Sequence, residues 1–279
     1  MKLIDGKKVA SELIDAVKEE IKELGATPNI VAIQVGSVPE SDLYIQHKKE
    51  KALEAGISFT HLQVNEDADP EELYKLIQNS NENENVNGIL VQLPIPEKFD
   101  IELIKQMIYP WKDVDGFHPL NKGLLESGST NLIPPTAKGV MSLLKYYDID
   151  PKGKNVTVIG NGEVAGRPTA KLLTNAGATV TVCTEHTKDI YEFTKNADVI
   201  VTAVGKERLI NKEVVKKDVV LVNIGLTRKV EGVVGDYDYN TFEDIASYST
   251  PTPGGTGPMT VAHLIENTLI CYKLMNKIK

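Results

Sequence analysis

Residues 155–177 read NVTVIGNGEVAGRPTAKLLTNAG. The β-branched run NVTVIG predicts a buried strand, and VAGRPTAKLLTNAG predicts a helix. Between them Gly160, Gly162 and Ala165 stand at G-x-G-x-x-A spacing. In a dinucleotide-binding unit the first glycine makes the tight turn and the second lets backbone approach a pyrophosphate. A small third residue lets the helix pack close to the strand. The helix N-terminus then offers free N–H groups and the positive end of its dipole to phosphate. The next strand, ATVTVCT, has Glu185 just past its end. An acid there accepts from the ribose 2′-OH of NAD and repels a 2′-phosphate. As a bare residue Glu185 reads equally as an exposed loop carboxylate.

Working outward, helix and strand patterns alternate along the whole chain, the signature of an α/β fold with mainly parallel sheets. In the first half LIDAVKEEIKEL is an amphipathic helix and NIVAIQVG a buried strand. A helix from about Ser41 to Ala55 follows, then the strand SFTHLQV, the helix PEELYKLIQNS and the strand GILVQLPIP. The asparagine-rich stretch NSNENENVNG reads as a solvated connector. In the second half TAKGVMSLLKYYD precedes the glycine unit, and DVIVTAVG and VVLVNIG supply two more strands. STPTPGGTGPMT is too rich in Pro and Gly for a regular element, and VAHLIENTLICYKLMNKI is a terminal helix. A domain boundary is expected near Gly116, with the terminal helix packing back on the first domain.

The chain of 279 residues is long enough for one large or two medium domains, and its 41% hydrophobic and 25% charged residues are those of a globular protein. A net charge of −8 argues against nucleic acid or an anionic membrane as partner. Cys183 and Cys271 both lie in apolar patterns, which fits free thiols in a reducing cytoplasm. No apolar run is long enough for a signal peptide core or a membrane span.

In an open parallel sheet, ligands bind beyond the C-terminal ends of the strands. Gln92 closes the strand GILVQ, and Tyr44 and Lys48 stand four positions apart on the helix that follows NIVAIQVG. Taken alone, that helix face is ordinary solvated surface. Asp115 in WKDVDGFHP is positioned to join the three, or is the acid of a common Asp-Gly turn. Gly254 and Gly255 in PGGTGP either bring bare backbone to a ligand or make a tight turn before a helix with Pro258 near its start.

Taken together, LIDGKKVA, SDLYIQHK, QLPIP, KDVDGFHPLNKG, GEVAGRP and PGGTGPMT resemble, in order and spacing and over essentially the whole chain, the methylenetetrahydrofolate dehydrogenase/methenyltetrahydrofolate cyclohydrolase family. The resemblance implies two domains, each a mainly parallel sheet flanked by helices, with a cleft between them. Residues 1–116 with 261–279 would be the folate-binding and catalytic domain, and 117–260 a Rossmann-type NAD(P)-binding domain. It implies that Tyr44 stacks on the folate ring, that Lys48 is the main catalytic group of the cyclohydrolase step, and that Gln92 holds and tunes Lys48. Asp115 would bind the pterin edge, where a carboxylate accepts from ring donors. Leu93, Pro253, Gly254 and Gly255 join the substrate site. Gly160, Asn161, Gly162, Glu185, Leu226 and Thr260 form the cofactor site. Tetrahydrofolate derivatives are the implied substrates and a homodimer the implied assembly. The five histidines do not cluster, and no metal is expected.

The sequence departs from the family where selectivity between NAD and NADP is set. The family has Gly-Arg-Ser at Gly160, Asn161 and Gly162, and a serine at Glu185; that arginine and serine hold the 2′-phosphate of NADP. Their absence points to NAD as the favoured cofactor, with His186 or Lys188 as the only near candidates for compensation. Pro135 and Ala137 replace a cysteine and a proline, and Thr252 and Thr256 replace valines, with no catalytic side chain lost. A dehydrogenase with weak cyclohydrolase activity and a non-catalytic nucleotide-binding protein are the competing readings; Lys48 and Gln92 argue against the first, and fold alone does not exclude the second.

Overall fold

A computed structural model describes residues 1–25, 27–230 and 232–278. The short β1 (Lys2–Leu3) leads into α1 (Gly6–Leu24). Next, β2 (Asn29–Val35), α2 (Pro39–Glu54), β3 (Ser58–Val64), α3 (Pro70–Glu82) and β4 (Gly88–Gln92) alternate strictly, followed by α4 (Ile101–Met107) and α5 (Pro119–Ser127). The second run is α6 (Pro135–Tyr146), β5 (Asn155–Ile159), α7 (Gly166–Asn175), β6 (Thr179–Cys183), α8 (Tyr191–Thr194), β7 (Val199–Thr202) and β8 (Val220–Asn223). A hairpin of β9 (Leu226–Lys229) and β10 (Gly232–Gly235), the short β11 (Tyr248–Ser249) and α9 (Thr256–Met275) complete it.

The chain divides into two compact units. One holds Ser11–Pro135 and the chain from Val261 onward; the other holds Met1–Ala10 and Thr136–Thr260. Residues 117–135 thus group with the segment before them and not with the residues beyond Pro135. The physical tie is Asp113, whose Oδ2 accepts from the His118 N–H and from Asn121 Nδ2, each at 2.8 Å, and so binds the start of α5 to that segment. Lys279, the last residue of the expected terminal segment, lies outside the described residues.

The unit that begins at Ser11 is built on a parallel three-stranded sheet in the order β3-β2-β4. As the central strand, β2 is covered on both faces, which is why NIVAIQV reads as a nearly continuous apolar run. Val31, Ile33 and Val35 pack in one cluster with Leu73 and Ile77 of α3 and with Phe99. Asp69 caps α3 by accepting from the Glu71 N–H, and Pro70 takes the first helical position, where no N–H is needed.

The asparagine-rich stretch is not the solvated connector that its composition suggests. Its first part continues α3, and Ser80, Asn81 and Asn87 are buried. Asn81 donates to the Met107 carbonyl at 2.6 Å and accepts from the Tyr109 N–H at 2.9 Å. The open carbonyls at the end of α3 are met by Lys112, a buried lysine whose Nζ donates to the carbonyls of Ser80, Asn81 and Asn83 at 3.1, 2.7 and 2.8 Å. A polar run thus becomes a socket for one cation.

The other unit carries a parallel six-stranded sheet in the order β1-β11-β8-β7-β5-β6, beside the antiparallel β9–β10 hairpin. From β5 the chain goes to β6 on one side and then returns to β7 on the other, so the switch point of this sheet lies between β5 and β7. Ligands of open α/β sheets bind outside the carboxyl ends of the strands at such a point. One sequence expectation needs correcting: α9 starts at Thr256, inside the stretch read as too rich in Pro and Gly for a regular element. Pro258 falls in its first turn, where a missing N–H costs the helix no hydrogen bond. Among the described residues no helix is long and apolar enough to cross a membrane.

Replacing Lys112 by Met leaves three carbonyls without this donor, those of Ser80 and Asn81 buried. The expected loss of stability is about 2–4 kcal/mol, read from urea unfolding; a loss below about 0.5 kcal/mol would mean that water replaces the ammonium.

Candidate active site

Tyr44 and Lys48 lie on α2, one turn apart, in the helix that leaves the carboxyl end of β2. Despite its charge, Lys48 is 7% exposed. Its Nζ donates to Gln92 Oε1 at 2.9 Å and lies 5.1 Å from the centre of the Tyr44 ring. Gln92 closes β4, and its Nε2 donates to the Leu93 carbonyl at 2.7 Å. That second bond fixes the amide: with Nε2 spent on a carbonyl, Oε1 faces the ammonium, which can only donate. The face that sequence alone leaves as ordinary surface holds a buried lysine beside a half-buried tyrosine.

Asp115 completes the group. Its segment is held against β4 by a parallel bridge between Ile89 and Asp113, with the Ile89 N–H on the Lys112 carbonyl at 2.8 Å. Burial pushes the Asp115 carboxyl up to about 7, against the pull of the Lys48 ammonium and with a smaller push from Asp113. Burial likewise lowers the Lys48 pKa, and Asp115 opposes that. An amine below its ordinary range beside a carboxyl near neutrality is a pair able to take up and release protons at working pH. Asp113, 2% exposed, is also raised by burial; bonds from Asn121 and from the backbone at residues 117 and 118 oppose that shift.

Sequence reasoning missed Asp113, Asn121 and Lys112. The available signal was KDV followed by an asparagine in the next helix: two adjacent charges beside an apolar residue need buried partners if the segment packs. Cavity size is a poor guide in this unit. A depression of about 430 Å³ lies on the opposite face of α2, lined by residues that include Asp42, Gln46 and Lys49 and none of the four above. Asp115 and Leu93 line a cavity of only about 20 Å³, room for roughly one water.

The remaining expected site residues lie in the unit that carries the six-stranded sheet. Gly160 follows β5 with φ +107°, and a Cβ on it would stand 2.4 Å from the Ala203 carbonyl oxygen. A Cβ on Gly162 would meet nothing within 4 Å. The protein's own packing does not require that second glycine, so its bareness leaves room for a ligand. The close helix–strand approach falls at Gly166, where a Cβ would stand 2.0 Å from the Gly160 carbonyl, and not at Ala165, which precedes the first turn of α7. Asn161 is exposed, and its carbonyl accepts from Arg167 Nη2 at 3.4 Å. Glu185 stands just past β6 with its side chain 81% exposed and His186 Nε2 at 3.7 Å. Leu226 opens β9 and is exposed. Thr260 pairs with Thr136 at 3.1 Å. Pro253, Gly254 and Gly255 follow β11, where a Cβ on Gly255 would meet the Pro251 carbonyl at 2.7 Å.

Residues 4–115 match the tetrahydrofolate dehydrogenase/cyclohydrolase catalytic domain, and residues 134–276 match the NAD(P)-binding domain of the same enzymes. The chain belongs to this family. It is 44% identical to the bifunctional protein FolD of Wolinella succinogenes, over 98% of this chain and 97% of that one. The crystal structure of the bifunctional FolD enzyme from Campylobacter jejuni superposes with a TM-score of 0.95 at 42% identity, covering 98% of this chain and 99% of that one. The Trypanosoma brucei FolD, solved with NADP cofactor and inhibitor, gives a TM-score of 0.92 at 34% identity, covering 98% and 97%. The family domains and the two-unit α/β architecture agree with the fold class read from the sequence.

The elevated Asp115 carboxyl sets a sign for stability. Between its ordinary value of 3.8 and about 7, the unfolded chain has released this proton and the folded chain keeps it. Its contribution is therefore full below the ordinary value and is lost as pH rises through 7. The stability of Asp115→Asn minus that of the unchanged protein, from urea midpoints at pH 4 to 8, is expected to climb across that window and level above it. A flat difference would mean an Asp115 of ordinary acidity.

Proposed function

We propose that the chain oxidises 5,10-methylenetetrahydrofolate to the methenyl form with a nicotinamide dinucleotide and hydrolyses the methenyl form to 10-formyltetrahydrofolate. The observation that carries this reading is Lys48, buried and held by a neutral amide at 2.9 Å, in a chain that also has a glycine turn open at Gly162. Lys112 shows that a buried amine can be purely structural, its donors spent on three carbonyls; Lys48 differs in lying beside a tyrosine ring and a carboxyl pushed up to about 7.

In this reading Tyr44 offers a flat face to the folate ring, and Asp115 meets the donor edge of the pterin. A carboxyl near pH 7 serves there as acceptor or donor according to its proton. Lys48 moves the proton of the attacking water, which a lysine does at neutral pH only when burial lowers its pKa. Gln92 keeps it aimed. Leu93, Pro253, Gly254 and Gly255 complete the substrate contacts. The glycine turn at Gly160 and Gly162 leaves room for a pyrophosphate, with Leu226 and Thr260 as further contacts. When bound, the dinucleotide supplies the hydride acceptor; the protein's part in that step is alignment. A homodimer belongs to the same reading.

We further propose NAD as the favoured cofactor. In this reading Glu185, just past β6, accepts from the ribose 2′-OH, and position 161 carries an asparagine instead of a guanidinium. The double change Glu185→Ser with Asn161→Arg is expected to move the ratio of kcat/KM for NAD over NADP by at least about tenfold toward NADP. An unmoved ratio would rule out these two positions as the discriminators.

Lys48→Met is expected to cut methenyl hydrolysis by at least about a hundredfold, within the usual range for a general acid–base group, while folate still binds. Absorbance at the methenyl band reads the first, and calorimetric titration with a folate the second. Hydrolysis at an undiminished rate would move the proton transfer to another group.

A further inference from the structure

The sheet switch point lies between β5 and β7, and two loops meet there. The turn at Gly160 presses so closely on the Ala203 carbonyl that no side chain fits between them, and the Ala203 N–H donates to the Ile159 carbonyl at 2.8 Å. Residues 203–206 therefore form one wall of the glycine turn. Past Thr202 these residues belong to no strand, and Gly205 has φ +73°. Something else must hold their shape.

Asp236 does. It directly follows β10, is 0% exposed, and accepts with one carboxylate oxygen from each of two N–H groups: Oδ2 from Val204 at 3.0 Å and Oδ1 from Lys206 at 2.7 Å. The same carboxylate lies so near Gly225 that a Cβ there would stand 2.2 Å from Oδ2. Gly225 precedes Leu226, whose carbonyl lies 3.1 Å from where a Cβ on Gly205 would be. One buried acid thus ties the loop after β7, which borders the switch point, to the loop after β8.

Asp236 is in turn fixed by its neighbours. Its N–H donates to Asn223 Oδ1 at 2.8 Å, and its carbonyl accepts from the Leu209 N–H at 2.7 Å. Asn223 also accepts from Thr202 Oγ1 at 3.0 Å and donates to the Gly225 carbonyl and to Thr252 Oγ1, at 2.7 and 2.9 Å. Two backbone donors aimed at one carboxylate need an acceptor-only group; an amide would turn N–H toward N–H at one of them.

We propose that Asp236 is a positioning residue for the dinucleotide, holding residues 204–206 in the shape that the glycine turn and the cofactor require. The inference rests on the dinucleotide-dependent activity proposed above, and the two fail separately. The test is Asp236→Asn in the full chain, with three readouts: KM for NAD and NADP with methylenetetrahydrofolate, kcat, and methenyl hydrolysis without dinucleotide. The dinucleotide KM is expected to rise about tenfold or more, the scale of one charge-assisted bond lost. Methenyl hydrolysis is expected to stay within about twofold, since Lys48 and Gln92, which are assigned its proton transfer, lie in the other unit.

An unchanged KM, or an equal loss of both activities in a folded variant, would overturn the proposal. Should Asp236→Asn fail to fold, Lys206→Pro at an exposed position removes one of the two N–H donors and leaves the carboxylate in place. Its dinucleotide KM is expected to rise about threefold or more with hydrolysis retained, and an unchanged KM there overturns the proposal equally. Absence of dinucleotide turnover in the unchanged protein would instead refute the activity on which the inference stands.

Discussion

An ammonium and a carboxyl withdrawn from water in one place constrain most of the unit that holds them. A buried ion costs several kcal/mol unless its hydrogen-bonding capacity is met, and the cost is high when one partner is missing. Lys48 and Asp115 are each pushed toward neutrality by that cost, and each restrains the other. The direct partner of Lys48 is an amide oxygen, not a carboxylate. That choice has a consequence for chemistry. A carboxylate at 2.9 Å would hold the lysine protonated; an amide satisfies one donor and leaves the pKa depressed.

Asp115 can be held where it is because its neighbours are anchored more firmly than a loop usually is. Lys112 plugs the end of α3, Asp113 ties down the start of α5, and the Ile89 bridge joins the segment to β4. Three successive residues, Lys112, Asp113 and Val114, are 2% exposed or less. Burying charges on either side of this segment leaves Asp115 little freedom to move. The other unit solves its problem with backbone. Gly160 and Gly166 are glycines because another part of the main chain occupies the Cβ position, whereas Gly162 is bare over open space.

Much of this architecture was legible in the sequence, because strand and helix periods are local signals. NIVAIQV, NVTVI and VLVN are strands as read, and the glycine spacing marked the turn after β5. What was not legible were partnerships made across the chain. Nothing local distinguishes Lys48 from Lys49 and Lys51, the half-exposed lysines of α2, until β4 brings Gln92 to it from 44 positions away. The asparagine run reads as solvated because composition carries no information about Lys112, which arrives about thirty residues later and needs its carbonyls. The early start of α9 was hidden for a different reason: proline and glycine are penalised in helix interiors but tolerated in a first turn, and the boundary decides which rule applies.

Cofactor choice follows a similar logic of distributed causes. Glu185 is mostly in water, and two charges about 4 Å apart in water interact by only about 1 kcal/mol, less in salt. Repulsion between this one carboxylate and each charge of a 2′-phosphate would therefore be worth only about fivefold. The larger factor is what is missing: a guanidinium on a phosphate makes paired, charge-assisted bonds that an asparagine cannot make. Arg167 leans toward the loop, but onto the Asn161 carbonyl, and its bond there is long. Under the proposed preference for NAD, selectivity would depend less on an acid that repels than on an absent cation, with Glu185 as the acceptor for the hydroxyl that NAD retains.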